Sequence, residues 1–163
     1  MTSNYAIRPA VMADADTLVE FTLREAEDAE GVRLNPARVR RGVTAALDDS
    51  RLAQYWVATG LGGDIAASIS TLKEWSSFHG GHYWWVQSLF VVPDHRGSGL
   101  VDLLLDHVAR EAADAGALDL RLYAHAANER ALRVYDRCGF TEAPYVLMRR
   151  RLGGTGAERG GRS

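Results

Sequence analysis

Cysteine, lysine and proline are scarce in this chain of 163 residues, which has one Cys, one Lys and four Pro. With Cys138 alone, no internal disulfide can form and a cysteine-based metal cluster is excluded. Lys73 leaves eighteen arginines to supply nearly all the positive charge, a pattern that reads as composition bias, with no mechanism in it. Long apolar runs are also missing. The central stretch free of formal charge, from Gly80 to Pro93, is too short to cross a bilayer as a helix and contains His82, Gln87 and Ser88, so no membrane partner is expected. The opening Met1-Thr2-Ser3-Asn4-Tyr5 has no basic patch followed by an apolar stretch, which argues against a secretory signal and predicts a cytoplasmic location. Neither sign of charge dominates. A net charge of −2 offers no global attraction to nucleic acid or to anionic lipid, so neither is an expected partner. No internal repeat is found.

What is present is ordinary for a globular protein: 47% hydrophobic and 25% charged residues in a length suited to one compact domain. A single domain over residues 1–152 is expected. The glycine-rich end, residues 153–163, has no large apolar side chain and is expected to be a disordered tail. Tyr5 to Pro9 reads as a strand, followed by a helix capped at Asp14 or Asp16 and carrying Leu18, Phe21 and Leu23. Pro36 after Asn35 opens a second helix with Val39, Val43, Ala46 and Leu47 at helical spacing. Gln54 to Thr59 and Ile65 to Lys73, joined by Gly60-Leu61-Gly62-Gly63-Asp64, predict a hairpin. His82 to Val92 is apolar on both alternations, as in a central strand covered on both faces. A helix over Gly99 to Ala115, a strand over Leu118 to Ala124, a helix over Asn128 to Cys138 and a closing strand over Thr141 to Leu152 complete the pattern. Asp14, Asp16, Glu20, Glu25, Glu27, Asp28 and Glu30 face only Arg24 in the first helical segment. A solvated helix face is the simpler reading of that run, and a surface that attracts a cationic substrate is the alternative.

Two segments carry chemistry. In the first, Leu89-Phe90-Val91-Val92-Pro93-Asp94-His95-Arg96-Gly97-Ser98-Gly99, a strand runs into a glycine-rich turn that opens a long helix. Such a turn exposes backbone N–H groups at the positive end of the helix dipole, where a pyrophosphate binds well. Alone, an Arg-Gly-X-Gly sequence is more often an ordinary loop. In the second segment, Asn128 and Tyr135 stand seven apart, almost two helical turns, and share one face with small Ala131 between them. A lone helical Tyr is ordinarily a core residue with a satisfied hydroxyl.

Together, in this order, the two segments resemble the cofactor core of the GNAT acetyltransferases. There a Val-X-Pro-like strand end precedes Arg/Gln-X-X-Gly-X-Gly/Ala, and Asn-X-X-Ala-X-X-X-Tyr-X-X-X-Gly-Phe follows; Arg96, Gly99 and Val101 take the marked positions of the first motif. The resemblance covers about Ile7 to Leu152. Glu74-Trp75-Ser76 and Trp84-Trp85-Val86-Gln87-Ser88 are similar to a little-described bacterial subgroup with tryptophan-rich strands. It implies an α/β (α+β) fold with a mixed, mostly antiparallel sheet flanked by helices. It also implies acetyl-CoA as co-substrate, with Leu89, Phe90 and Val91 along the pantetheine arm. Arg96, Gly97, Ser98, Gly99, Leu100, Val101 and Asp102 would surround the diphosphate, with Asn128 and Tyr135 completing the site. Val101 departs from the usual Gly or Ala, either narrowing the phosphate site or pointing into the core.

The activity implied is direct acetyl transfer to a primary amine of a small molecule or peptide, with Tyr135 as general acid. The positions where relatives carry a glutamate base hold Trp85 and Tyr123, so Glu74, His125 or a water held by Gln87 or Ser88 remain candidates for the base. Trp75, Trp84 and Trp85 would form core or wall an acceptor pocket. Cys138 reads as a small buried residue and not as a nucleophile. The pair His79 and His82 lacks an acidic partner at metal spacing, so no metal is expected. The missing strand carboxylate leaves a non-catalytic acyl-CoA-binding or sensor module as the alternative, self-association into a homodimer is left open, and nothing identifies the acceptor.

Overall fold

The computed structural model describes residues 4–152; the expected tail lies outside them. Five strands form one sheet in the order β1-β2-β3-β4-β5. β1 (Tyr5–Pro9), β2 (Gln54–Gly60), β3 (Ile65–Ser76) and β4 (Gly81–Val91) are antiparallel to their neighbours, and β5 (Asp119–Leu122) runs parallel to β4. Four helices, α1 (Ala15–Glu30), α2 (Pro36–Asp48), α3 (Leu100–Asp114) and α4 (Glu129–Arg137), flank it. The mixed, mostly antiparallel sheet expected from the sequence is therefore present.

Alternation along β2 separates the two faces of the sheet. Trp56 faces one side, where Ile69, Trp84 and the α3 stripe Leu100, Leu104, Leu105 and Val108 close a dry cluster. Val57 faces the other, against Leu18 and Val19 of α1 and Val43 of α2. Burying a side chain such as Leu104 contributes about 1.5–3 kcal/mol each, so the two apolar faces dominate the stability of this three-layer arrangement.

Local chemistry starts the helices differently. Asn35 caps α2 by accepting from the Arg38 N–H at 3.1 Å, with Pro36 in the first turn. Asp14 sits at the cap position of α1, yet its side chain makes no cap bond. It accepts from both terminal nitrogens of Arg8, at 2.7 and 2.9 Å, and from the Val11 N–H at 2.8 Å. The arginine thereby holds the Asp14 carboxyl below the usual carboxylate range.

Three sequence expectations change. β3 continues past Lys73 to Ser76, because β4 offers it a partner as far as Gly81. β5 is shorter than expected and pairs with β4 only from Tyr83 to Val86. Thr141 to Leu152 closes nothing: the segment carries no strand, and Tyr145, Val146, Leu147 and Met148 are all exposed. β-propensity records fitness for a pleated surface, and pairing additionally needs a free edge within reach. The tryptophans also divide. Trp84 is core and stacks on Trp56, Trp85 stacks on Tyr123 with ring centroids 4.6 Å apart, and Trp75 is exposed.

Candidate active site

The site begins with an irregularity in β4. Ser88 faces Ser70 on β3, but Val86 faces Thr71, so Gln87 is an extra residue on β4. A bulge of this kind bends its strand and re-aims the residues that follow. β5 has ended its pairing at Val86, so the outer edge of β4 beyond it carries backbone groups without a strand partner. Alternation sends the Val92 N–H to the Ala66 carbonyl of the adjoining β3 side, while Leu89 and Val91 address the open edge. An extended amide-bearing chain fits such an edge as an added strand would.

Immediately beyond lies the glycine turn. Gly97 and Gly99 have φ of 77° and 81°, which L side chains adopt only with strain, and a Cβ built on either would meet nothing within 4 Å. The glycines therefore serve backbone conformation in a turn that is open in front, at the N-terminus of the fifteen-residue α3. These features fit a diphosphate. The side chains around it brace the turn. The Ser98 hydroxyl donates to the His95 carbonyl at 2.6 Å, and the Tyr5 hydroxyl meets His95 Nδ1 at 2.9 Å. Arg96 donates through Nε to the Val91 carbonyl (3.1 Å) and through Nη2 to Asp28 of α1 (3.0 Å). The guanidinium thus ties the turn to α1, and the backbone is left for a ligand. Leu100 is core, and Val101 packs against the core beneath α3, the second of the two roles expected for it.

α4 approaches from the other side of the opening. Asn128 caps it, accepting from the Ala131 N–H at 3.1 Å. Asp102 in the first turn of α3 accepts from Nε and Nη2 of Arg137 at 3.1 and 2.9 Å, so this carboxylate is neutralised by a bidentate partner. Cys138 Sγ lies 3.3 Å from the same carboxylate, and burial together with that neighbour pushes the thiol up to about 11, the opposite of an activated nucleophile. Tyr135 is half-buried against the core and sets its ring edge-on to Phe140. Burial, then the negative charge of Glu25, raises the Tyr135 hydroxyl above its ordinary value, so it holds its proton at neutral pH.

Glu25, which the sequence places only within the acidic run of α1, is a further candidate for the site. From α1 it reaches across to β4 and accepts the Leu89 N–H at 3.0 Å. Burial pushes its carboxyl up to about 7, the Leu89 N–H holds it down in part, and the charge of Glu30 adds to the rise. It lines a cleft of about 450 Å³ between α1, α2 and β4, together with Thr22, Glu30, Tyr55, Gln87, Ser88 and apolar Val32, Leu34, Val39 and Val43. Its position was legible in principle: Glu25 stands four residues after Phe21 and seven after Leu18, on the buried stripe of α1. Of the acidic run, Asp16, Glu20, Glu27, Asp28 and Glu30 are exposed as a solvated face should be, while Asp14 and Glu25 turn inward.

Of the candidates for the base read from sequence, Gln87 and Ser88 line the cleft with Glu25, whereas Glu74 and His125 stand elsewhere. Glu74 faces Tyr83 at the far end of the β3–β4 ladder and accepts from the Trp85 indole N–H. It stands five positions along β3 from Ile69, the partner of Leu89, a span of about 17 Å. His125 is exposed, accepts the Ala127 N–H through Nδ1 at 3.2 Å, and lines a second cleft with Asp28, Glu30 and Asn128. Among the described residues no group of three His, Cys, Asp or Glu is placed to hold a metal ion, and no helix there is long and apolar enough to cross a membrane.

Known structures share this fold. An acetyltransferase structure from Clostridium difficile 630, described as possible, superposes with a TM-score of 0.86 at 29% identity over 91% of this chain and 97% of its own. A predicted acetyltransferase from Clostridium acetobutylicum, solved with acetyl-CoA, matches at TM-score 0.75 and 22% identity over 90% of this chain and 96% of its own, a likeness of fold. The L-amino acid N-acyltransferase MnaT of Escherichia coli K12 is 29% identical over 89 residues, covering 55% of this chain and 52% of the relative, so the chain spans about half the length of that protein. The family profile described as Acetyltransferase (GNAT) family matches residues 17–140, and with that span of turn, strand edge and α4 inside it the chain belongs to the GNAT acetyltransferases.

Proposed function

We propose that the protein transfers the acetyl group of acetyl-CoA directly to a primary amine bound in the cleft between α1, α2 and β4. The observation that carries this reading is the meeting, at Leu89, of two ligand-sized spaces: the open β4 edge leading to the Gly97–Gly99 turn, and the cleft containing Glu25. Acetyl-CoA is a co-substrate consumed in each turnover. Backbone N–H groups of the turn would hold its diphosphate, and the edge at Leu89 and Val91 its pantetheine amides. The Leu89 N–H would polarise the thioester carbonyl, a donor fixed before the charge develops. Tyr135, kept protonated by burial, gives its proton to the departing thiolate.

The cleft also speaks to the acceptor. Its lining contains Glu25 and Glu30, and among the described residues no Lys or Arg. An ammonium on an apolar body suits it, whereas a free α-carboxylate would meet two acids and no counter-charge. Small molecules and peptides that present an uncompensated amine are therefore the acceptor class, in contrast to zwitterionic amino acids.

Release of thiol from acetyl-CoA in the presence of an amine panel tests this, with Tyr135→Phe as the comparison. Loss of the general acid is expected to lower kcat about 100-fold, with acetyl-CoA affinity retained. Equal rates for the two proteins would remove Tyr135 from the reaction. Tight acetyl-CoA binding with no turnover on any amine would establish the sensor alternative instead.

A further inference from the structure

We infer that Glu25 is the catalytic base, and that it is released for that task when the thioester carbonyl displaces its carboxyl from the Leu89 N–H. The inference rests on the acetyl-transfer reading and deepens it at one atom. In the protein alone, Glu25 Oε1 occupies the Leu89 N–H at 3.0 Å. This donor lies on the strand edge left open between the bulge at Gln87 and the glycine turn, where an acyl carbonyl would be polarised. Carboxyl and carbonyl cannot both take one N–H along its axis. Binding of acetyl-CoA therefore leaves Glu25 without its backbone partner, still in the cleft and beside the carbon to be attacked.

Every group facing Glu25 favours proton acceptance there. Glu30 on its own helix adds negative charge, the β2 side contributes neutral Tyr55, and the α4 side contributes Tyr135, whose hydroxyl the Glu25 charge raises. α2 presents apolar Val39, Val43 and Ala46. Arg24 and Arg96 lie over the Phe90 ring of β4, with Arg96 bound to Asp28, while Arg121 and Lys73 sit over Tyr83 and Trp84 at the other end of the strand. Losing the Leu89 N–H removes the one interaction that holds the Glu25 carboxyl down, so cofactor binding raises it further.

The ammonium of the acceptor gives one proton to the Glu25 carboxylate, which passes it to water. The neutral nitrogen attacks the acyl carbon, the C–N bond forms and the C–S bond breaks, and the thiolate takes the Tyr135 proton. The second proton of the nitrogen returns through Glu25 to the Tyr135 phenolate. Amide, free thiol and one solvent proton result.

Glu25→Gln keeps an oxygen for the Leu89 N–H and the shape of the side chain, so the fold is retained while the base is removed. Two readouts are compared in the full chain. Calorimetric binding of acetyl-CoA near pH 7, repeated in buffers of different ionisation enthalpy, should show proton uptake in the native protein and none in Glu25→Gln, with affinities alike. In turnover, Glu25→Gln should lower kcat/KM for the amine by about 100-fold or more and abolish the rise of rate with pH above neutrality. Unchanged proton uptake, or a native rate and pH profile in Glu25→Gln, overturns the inference. If the native protein binds acetyl-CoA but turns over no amine, the acetyl-transfer reading fails and with it the base, while proton uptake still decides the exchange at Leu89.

Discussion

At Gly99 a single residue joins two requirements. Its φ of 81° places it in the left-handed region while α3 starts at the next residue, so Gly99→Ala strains the backbone where the phosphate site is built. The expected cost is about 1–2 kcal/mol of stability, read as a lower urea midpoint, with weaker acetyl-CoA binding by calorimetry. No steric clash contributes, since nothing lies within 4 Å of the added Cβ. This glycine was readable from the sequence because a local backbone need fixes its identity. Glu25 was not singled out from the acidic run, although its helical spacing placed it on the buried stripe beside Leu18 and Phe21, because most of the acids around it form a solvated face. The partner that gives it meaning, the Leu89 N–H, is sixty-four residues away.

Among the elements, α4 depends most on its ends. None of its residues is fully buried, and it is held by the Asn128 cap, the Asp102–Arg137 pair and the half-buried Val134, Tyr135 and Cys138. Asn128→Ala is expected to cost about 1 kcal/mol. Hydrogen exchange should then locate the lost protection in residues 129–137, and turnover should fall as Tyr135 loses its fixed place. The pair at Asp102 is partly exposed on both sides and contributes little by itself once salt screens it. The helices were legible because periodicity and caps are local properties. The extra residue at Gln87, the early end of β5 and the unpaired segment from Thr141 to Leu152 were not, because each depends on which edge of the sheet another strand reaches.

For the whole molecule, a carboxyl kept in a partly dry cleft costs stability. The Glu25 carboxyl titrates near 7 when folded, well above its ordinary value of 4.5, so the folded protein binds the extra proton more tightly than the unfolded chain between those values. The stabilisation this provides is full below about pH 4.5 and lost as pH rises through 7. Glu25→Gln should accordingly be more stable than the native protein at pH 8, by up to about 3 kcal/mol, and nearly equal to it at pH 4. Urea unfolding at the two pH values measures the difference; equal stability at pH 8 would mean that Glu25 is solvated.

The central claim is that the donor edge and the acidic cleft meet for acetyl transfer to an amine. Its most direct measurement is the appearance of free thiol and acetylated amine when the full chain, acetyl-CoA and single amines of graded charge are combined above neutral pH. One-to-one formation of the two products is expected, strongest for amines without a carboxylate and dependent on Tyr135. Thiol release no faster than hydrolysis with every amine, from a protein that nonetheless binds acetyl-CoA, would contradict it.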